Sequence, residues 1–217
     1  MNAQISQFID DLALLPAGPA ATNMFARVGD NTGDNATRRH NLELYFNAML
    51  ERDPRVLLVG EAPGYRGMRI TGVPFTNRGI LANGEPHFDL LGLHNGYLVP
   101  QDLPQASAEP TAAVMWNVLA ELDFLPLLWS AYPLHPHRVG EPLSNRTPSA
   151  ADIAAGQPFW PKLQSIFGIE QVVAVGNIAY RSLTAVGAPG SIITRVRHPS
   201  HGGKVEFAAG LRALLVE

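Results

Sequence analysis

Cysteine is missing from all 217 positions of the sequence. Disulfide bonds, iron–sulfur clusters held by thiolates and zinc sites with cysteine ligands are therefore excluded. The sequence also lacks a run of about 20 apolar residues, so we expect no membrane span. Residues 1–15 contain Asp10 and Asp11 but no basic residue, which is unlike a secretory signal. These absences favour a cytoplasmic protein.

Three motifs that would indicate a cofactor or a nucleophile are also missing. The sequence contains no GxxxxGK[ST] phosphate loop, no GxGxxG dinucleotide loop and no GxSxG nucleophile elbow. Two histidine pairs are present, His135 with His137 and His198 with His201, but neither spacing is a zinc signature and few carboxylates lie near them. We therefore expect neither a metal nor a cofactor.

The net charge of −3 at pH 7 gives no sign of a uniformly basic surface. Two stretches, 65–79 and 195–204, nevertheless contain basic residues and no acid. Their basic residues are Arg66, Arg69, Arg78, Arg195, Arg197 and Lys204. This distribution fits an anionic ligand held at one face, and the alternative is a chance clustering of surface arginines.

Apolar periodicity predicts strands that alternate with helices in a single domain spanning residues 1–217, with residues 1–35 as an N-terminal extension. The predicted strands are 55–60, 125–132, 171–176 and 191–197, and the predicted helices are 4–15, 37–52, 111–122, a segment from Ser149 that Pro161 kinks or restarts, 177–186 and 204–215. Residues 16–35 and 133–148 are predicted to be irregular, and 61–109 mainly a long loop. The fold class is α/β, as a three-layer α/β/α sandwich around a mainly parallel four-stranded sheet.

The carboxyl ends of parallel strands lie along one edge of a sheet, so the segments that follow the four strands are expected to face one crevice. These segments begin at Glu61, near Ser130, at Gly176 and at His198. Glu61 is a candidate general base or a carboxylate that caps backbone N–H groups. Phe75 either stacks on a planar ligand or packs in the core. His198 either donates to a developing anion or is structural.

Three short blocks resemble motifs of the uracil-DNA glycosylase superfamily. Gly60-Glu61-Ala62-Pro63-Gly64, followed by Gly72-Val73-Pro74-Phe75, resembles the first motif, and His198-Pro199-Ser200 resembles the last. Ser144-Asn145-Arg146-Thr147-Pro148 resembles the segment after the middle motif. The likeness extends over about residues 55–212 in order. It implies an enzyme that extrudes uracil from DNA and cleaves its N-glycosidic bond.

The resemblance also implies a role for each matching residue. His198 would hydrogen-bond the uracil carbonyl that gains charge, and Glu61 would hold or polarise the attacking water. The substrate-binding residues would be Gly60, Ala62, Pro63, Gly64, Phe75, which stacks on the base, and Ser130. The DNA contacts would be Arg69, Arg146, Ser200, His201, Gly202, Gly203 and Lys204. The partner would be DNA with a damaged base, bound by a monomer.

Two positions depart from the family pattern. Ala62 stands where the best-known branch has an aspartate that activates water, and Ser130 stands where an asparagine usually reads the edge of uracil. Three hypotheses remain open on the sequence. The first is a glycosylase for uracil or a related deaminated base, the second a homologue that binds nucleic acid or nucleobases without cleavage, and the third a hydrolase of a small phosphorylated or nucleoside substrate.

Overall fold

The computed structural model describes residues 2–27, 34–103, 110–185, 192–200 and 202–216. The strands in these ranges are β1 (Ala21–Thr22), β2 (Val56–Gly60), β3 (Leu127–Ser130), β4 (His135–Pro136), β5 (Gln171–Val175) and β6 (Ile192–Val196). The helices are α1 (Ala3–Leu14), α2 (Asp34–Arg52), α3 (Met68–Thr71), α4 (Arg78–Asn83), a 3₁₀ turn (Leu93–Asn95), α5 (Pro110–Glu121), α6 (Ala150–Gly156), α7 (Phe159–Phe167), α8 (Asn177–Thr184) and α9 (Lys204–Val216).

Within the described ranges, four parallel strands form the main sheet in the order β3-β2-β5-β6. All of β3 and nearly all of β2 and β5 are buried, because helices cover both faces of such a sheet. The chain leaves β2 towards β3 on one side and leaves β5 towards β6 on the other. The connections after these two neighbouring strands therefore diverge and open a crevice at their carboxyl ends.

An aromatic cluster fixes the N-terminal helices on the sheet. Phe8 of α1, Phe46 of α2 and Trp129 of β3 contact one another with ring centroids 5.3 to 5.7 Å apart. On the other side of the core, α5 contacts α9, and α8 and α9 pack on β6. The predicted α/β/α arrangement around a parallel four-stranded sheet is confirmed.

Residues 61–103, the described part of the segment predicted to be mainly a long loop, are mainly loop, but three short helical elements interrupt them. These are α3, α4 and the 3₁₀ turn, each of six residues or fewer. Asn77 caps α4 by accepting a hydrogen bond from the Ile80 N–H at 3.0 Å. Helices this short span less than two turns and leave little periodicity in a sequence.

Two further differences concern the predicted irregular and helical segments. β1 and β4 pair antiparallel, with Ala21 opposite Pro136, in segments predicted to be irregular. The helix from Ser149 divides into α6 and α7 before Pro161, which lies in the first turn of α7, where its missing N–H costs no helical hydrogen bond. Ser149 and Asp152 form a capping box at the start of α6.

Every helix in the described ranges is too short or too polar to cross a membrane.

Candidate active site

A cavity of about 320 Å³ lies at the carboxyl edge of the sheet. Its walls come from the segments after β2, β3 and β6 and from the segment before α6. The lining residues are Gly60, Glu61, Ala62, Pro63, Gly64, Met68, Phe75, Thr111, Ser130, Pro136, Asn145, Arg146, His198 and Ser200. The structure thus brings together both predicted catalytic residues and all six predicted substrate-binding residues.

One wall is the Phe75 ring, packed against the end of β2. A Cβ built on Gly60 would lie 2.5 Å from Cζ of Phe75, so the ring can occupy this place only because residue 60 has no side chain. Phe75 has a φ of +49°, a conformation that non-glycine residues rarely adopt and that is found at functional sites. Its carbonyl accepts a hydrogen bond from Nε1 of Trp116 at 3.0 Å, which holds this backbone in place. The flat face of the cavity is therefore preorganised.

Glu61 is the first residue after β2, and its position follows directly from the end of that strand. Its carboxylate is half-buried, and this burial raises its pKa above the ordinary value. A hydrogen bond from the Thr147 side chain opposes the shift. The carboxylate is thus placed beside a cavity with a pKa closer to neutrality than that of an exposed glutamate, which suits a group that orients or deprotonates water.

His198 follows β6, and its hydrogen bonds fix its tautomer. The backbone N–H of Ser200 donates to Nδ1 of His198 at 3.1 Å, and the Ser200 hydroxyl lies 2.7 Å from the same nitrogen. Because a backbone N–H only donates, Nδ1 accepts, and in the neutral ring the proton lies on Nε2. A neutral imidazole that presents an Nε2–H is a donor suited to an oxygen that gains negative charge.

Gly203, one of the predicted DNA contacts, packs closely against the backbone of His198. A Cβ built on Gly203 would lie 2.2 Å from the carbonyl oxygen of His198, so the loop closes on itself only with glycine there. Gly203 thus lies close to the backbone of His198 in its own loop, and its predicted contact with DNA stays a prediction. His201, another predicted contact, lies outside the described residues.

Ser130 forms part of the cavity wall between β2 and β3. It pairs with Gly60 in the sheet and is 4% exposed. Its hydroxyl lies 4.0 Å from Sδ of Met68, a long and weak contact. Ser130 therefore offers a short hydroxyl to a ligand in the position where the family pattern has a longer amide.

Two polar contacts hold the loop that follows Glu61. Nδ1 of His135, on β4, lies 2.8 Å from the carbonyl of Pro63, and burial lowers the pKa of His135 to about 4. The Tyr65 N–H donates to Oδ1 of Asn145 at 3.0 Å. The small β1–β4 sheet and the segment before α6 thus position the loop that walls the cavity.

The three cations predicted to bind phosphate differ in position. Arg69 does not line the cavity, and its Nε and Nη1 are buried with no hydrogen-bond partner in the described chain. Arg146 does line it, but its guanidinium donates to the carbonyls of Ala20, His137 and Thr147 and to Asp152. Lys204 pairs with Glu121 at 3.2 Å, with both side chains about half exposed. Their contacts to phosphate remain predictions.

A second cavity, of about 570 Å³, adjoins the first at the divergence of the β2 and β5 connections. Glu61 and His198 line both cavities. The second is also lined by Gly176, Asn177, Arg195 and Arg197. Arg195 donates to Oδ1 of Asn177 at 3.0 Å and lies over the Tyr180 ring. The positive stretch noted in the sequence therefore lies beside the catalytic candidates.

Sequence reasoning missed four lining residues: Met68, Thr111, Pro136 and Asn145. Asn145 belongs to a block whose resemblance was noted, so its position in a motif was an available signal. Met68 lies on α3 and Thr111 on α5, and the sequence does not show which face of either helix points towards the strand ends. No pattern in the sequence indicated them.

Comparison with known proteins agrees with this geometry. The sequence profile of the Uracil DNA glycosylase superfamily matches residues 48–210. The chain belongs to the uracil-DNA glycosylase superfamily. Its fold is similar to that in the crystal structure of wild-type SMUG2 from Pedobacter heparinus, with a TM-score of 0.65, 17% sequence identity and coverage of 100% of both chains. No curated protein sequence matches this chain.

Proposed function

We propose that this protein is a monofunctional DNA glycosylase that hydrolyses the N-glycosidic bond of uracil or a related deaminated base, as in base excision repair. The observation that carries the proposal is the meeting of Glu61, Phe75 and His198 around one cavity. Membership of the superfamily supports the same reaction class.

Each lining group has a role in this reaction. The extruded base stacks on Phe75, and the C1′–N bond breaks with its electron pair leaving on the base. His198 donates its Nε2–H to the base carbonyl oxygen that gains charge. Glu61, as a carboxylate, orients the water that attacks C1′ and takes up the proton that this water loses. The products are the base anion, an abasic site in the DNA and a protonated Glu61, and the base takes up one proton from solvent as Glu61 releases one.

The test is a strand-cleavage assay for abasic sites on oligonucleotides that carry uracil, hypoxanthine or xanthine, as single strands and duplexes. We expect release of at least one base and a loss of about 10²- to 10³-fold in kcat/KM for His198→Ala. His87→Ala is the matched control, because His87 is exposed, pairs with Asp123 and does not line either cavity. A protein that releases none of the three bases contradicts the proposal.

A second candidate is a homologue that binds DNA or nucleobases without cleavage. It is supported by Ser130, whose hydroxyl replaces an amide and whose one partner among the described residues is the distant Met68 sulfur. This candidate predicts salt-sensitive binding of the same oligonucleotides with no abasic product. Product that disappears in Glu61→Gln or His198→Ala eliminates it.

A further inference from the structure

Asn145 lies in the cavity wall with one end of its amide bound inside the protein. The Tyr65 N–H donates to this side chain at 3.0 Å, and a backbone N–H only donates, so the bound atom is the oxygen Oδ1. The other end is therefore the Nδ2 amine, and Asn145 is an exposed residue. No described residue accepts a hydrogen bond from Nδ2. The side chain thus presents two N–H donors whose orientation is already fixed.

Two neighbouring polar groups, Arg146 and Glu61, do not supply such a donor, so Asn145 adds to the donors of His198 and Ser130 in the same cavity. The guanidinium of Arg146 donates to internal carbonyls and to Asp152. The Ser130 hydroxyl is buried at the base of the cavity wall, and Glu61 contributes acceptors. Since binding to Tyr65 has already ordered the Asn145 side chain, a ligand oxygen that bonds to Nδ2 incurs little further loss of conformational entropy.

We propose that Asn145 is a substrate-binding residue whose Nδ2 donates to an oxygen of the extruded nucleotide. The inference rests on the proposed function and adds a recognition contact to the same site. Two oxygens of the nucleotide have the required chemistry, a carbonyl of the base and a phosphate of the backbone. The first gives discrimination between bases, and the second gives affinity that does not depend on the base.

The Asn145→Asp variant separates the two ends of the amide. A carboxylate oxygen still accepts from the Tyr65 N–H, so the loop remains held, but both N–H donors are lost. We expect kcat/KM for base release to fall at least tenfold with the melting temperature unchanged. Asn2→Asp is the charge control, because it also adds one negative charge, caps α1 equally well and does not line the cavity. Both variants are also assayed at high salt. Salt screens simple charge repulsion, so a loss of activity that persists there reflects the missing hydrogen bond.

Equilibrium binding identifies the oxygen. If Nδ2 contacts a phosphate, Asn145→Asp weakens binding of undamaged and uracil-containing oligonucleotides equally. If it contacts the base, binding of undamaged DNA is unchanged and only the preference for the damaged base falls. The inference alone is overturned if the wild-type protein releases base and Asn145→Asp matches it within twofold in both DNA binding and kcat/KM. A wild-type protein that releases no base overturns the proposed function, and the binding comparison still decides the role of Asn145.

Discussion

At the scale of single residues, the shape of the cavity depends on the absence of a side chain at Gly60. A Cβ there would lie 2.5 Å from the Phe75 ring, and the hydrogen bond from Trp116 to the Phe75 carbonyl holds the backbone that carries this ring. We therefore expect Gly60→Ala to displace the ring by about an ångström and to lower kcat/KM for base release by about 10²-fold.

Gly79→Ala is the matched control for Gly60→Ala. Gly79 lies in α4, and the nearest atom to its new Cβ is 3.4 Å away, an ordinary contact. Steady-state kinetics of the two variants on one oligonucleotide test the point. Equal activity in both would show that the position of Phe75 does not limit the reaction.

The lowered pKa of His135 makes the stability of the fold depend on pH. Burial, with a smaller contribution from the positive charge of Arg69, lowers its pKa from 6.5 to about 4. As the pH falls below 6.5, the unfolded chain binds the proton first, so stability decreases between pH 6.5 and pH 4 and is constant above that window. The full effect is about 3–4 kcal/mol, from about 1.4 kcal/mol per pKa unit.

The corresponding test is urea unfolding of wild type and His135→Asn between pH 7 and pH 5. Asparagine places its Nδ2 near the position of the imidazole Nδ1, which keeps a donor for Pro63, but it does not titrate. We expect the pH slope to shrink in the variant. An unchanged slope would assign the acid sensitivity to other groups.

At the scale of elements, the long strands and helices were predictable and the short ones were not. β2 and β5 have buried apolar runs, and α2 has a clear three- and four-residue period, so both element types left a signal. Because a parallel sheet fixes where strand ends lie, Glu61 and His198 could be predicted to meet. The two-residue strands β1 and β4 pair across more than a hundred residues, and no local pattern encodes that contact.

The guanidinium of Arg146 links three of these elements, β1, β4 and α6, through hydrogen bonds. It binds the Ala20 carbonyl before β1, the His137 carbonyl after β4 and Asp152 of α6, and the pair with Asp152 is mostly buried. We expect Arg146→Met to cost about 2–4 kcal/mol of unfolding free energy, because it leaves Asp152 and the carbonyls of Ala20, His137 and Thr147 without this partner.

Arg138→Met is the comparison for Arg146→Met. Arg138 pairs with Glu141, but both side chains are more than half exposed, so we expect a cost below about 1 kcal/mol. Chemical denaturation of the two variants measures the difference. Similar costs would mean that the buried contacts of Arg146 contribute no more than a surface pair.

At the scale of the whole molecule, a net charge of −3 requires that any affinity for DNA come from a local field. Arg197 lines the second cavity beside His198, whereas Arg55 precedes β2 at the opposite edge of the sheet and pairs with Asp53 and Glu170. Replacing either by alanine changes the net charge equally. If Arg197 contacts one phosphate, its removal reduces the slope of log Kd against log salt by about 0.7 to 0.9, and removal of Arg55 leaves the slope unchanged. Binding titrations across a salt series measure both slopes, and equal reductions would show that DNA responds to total charge and not to this face.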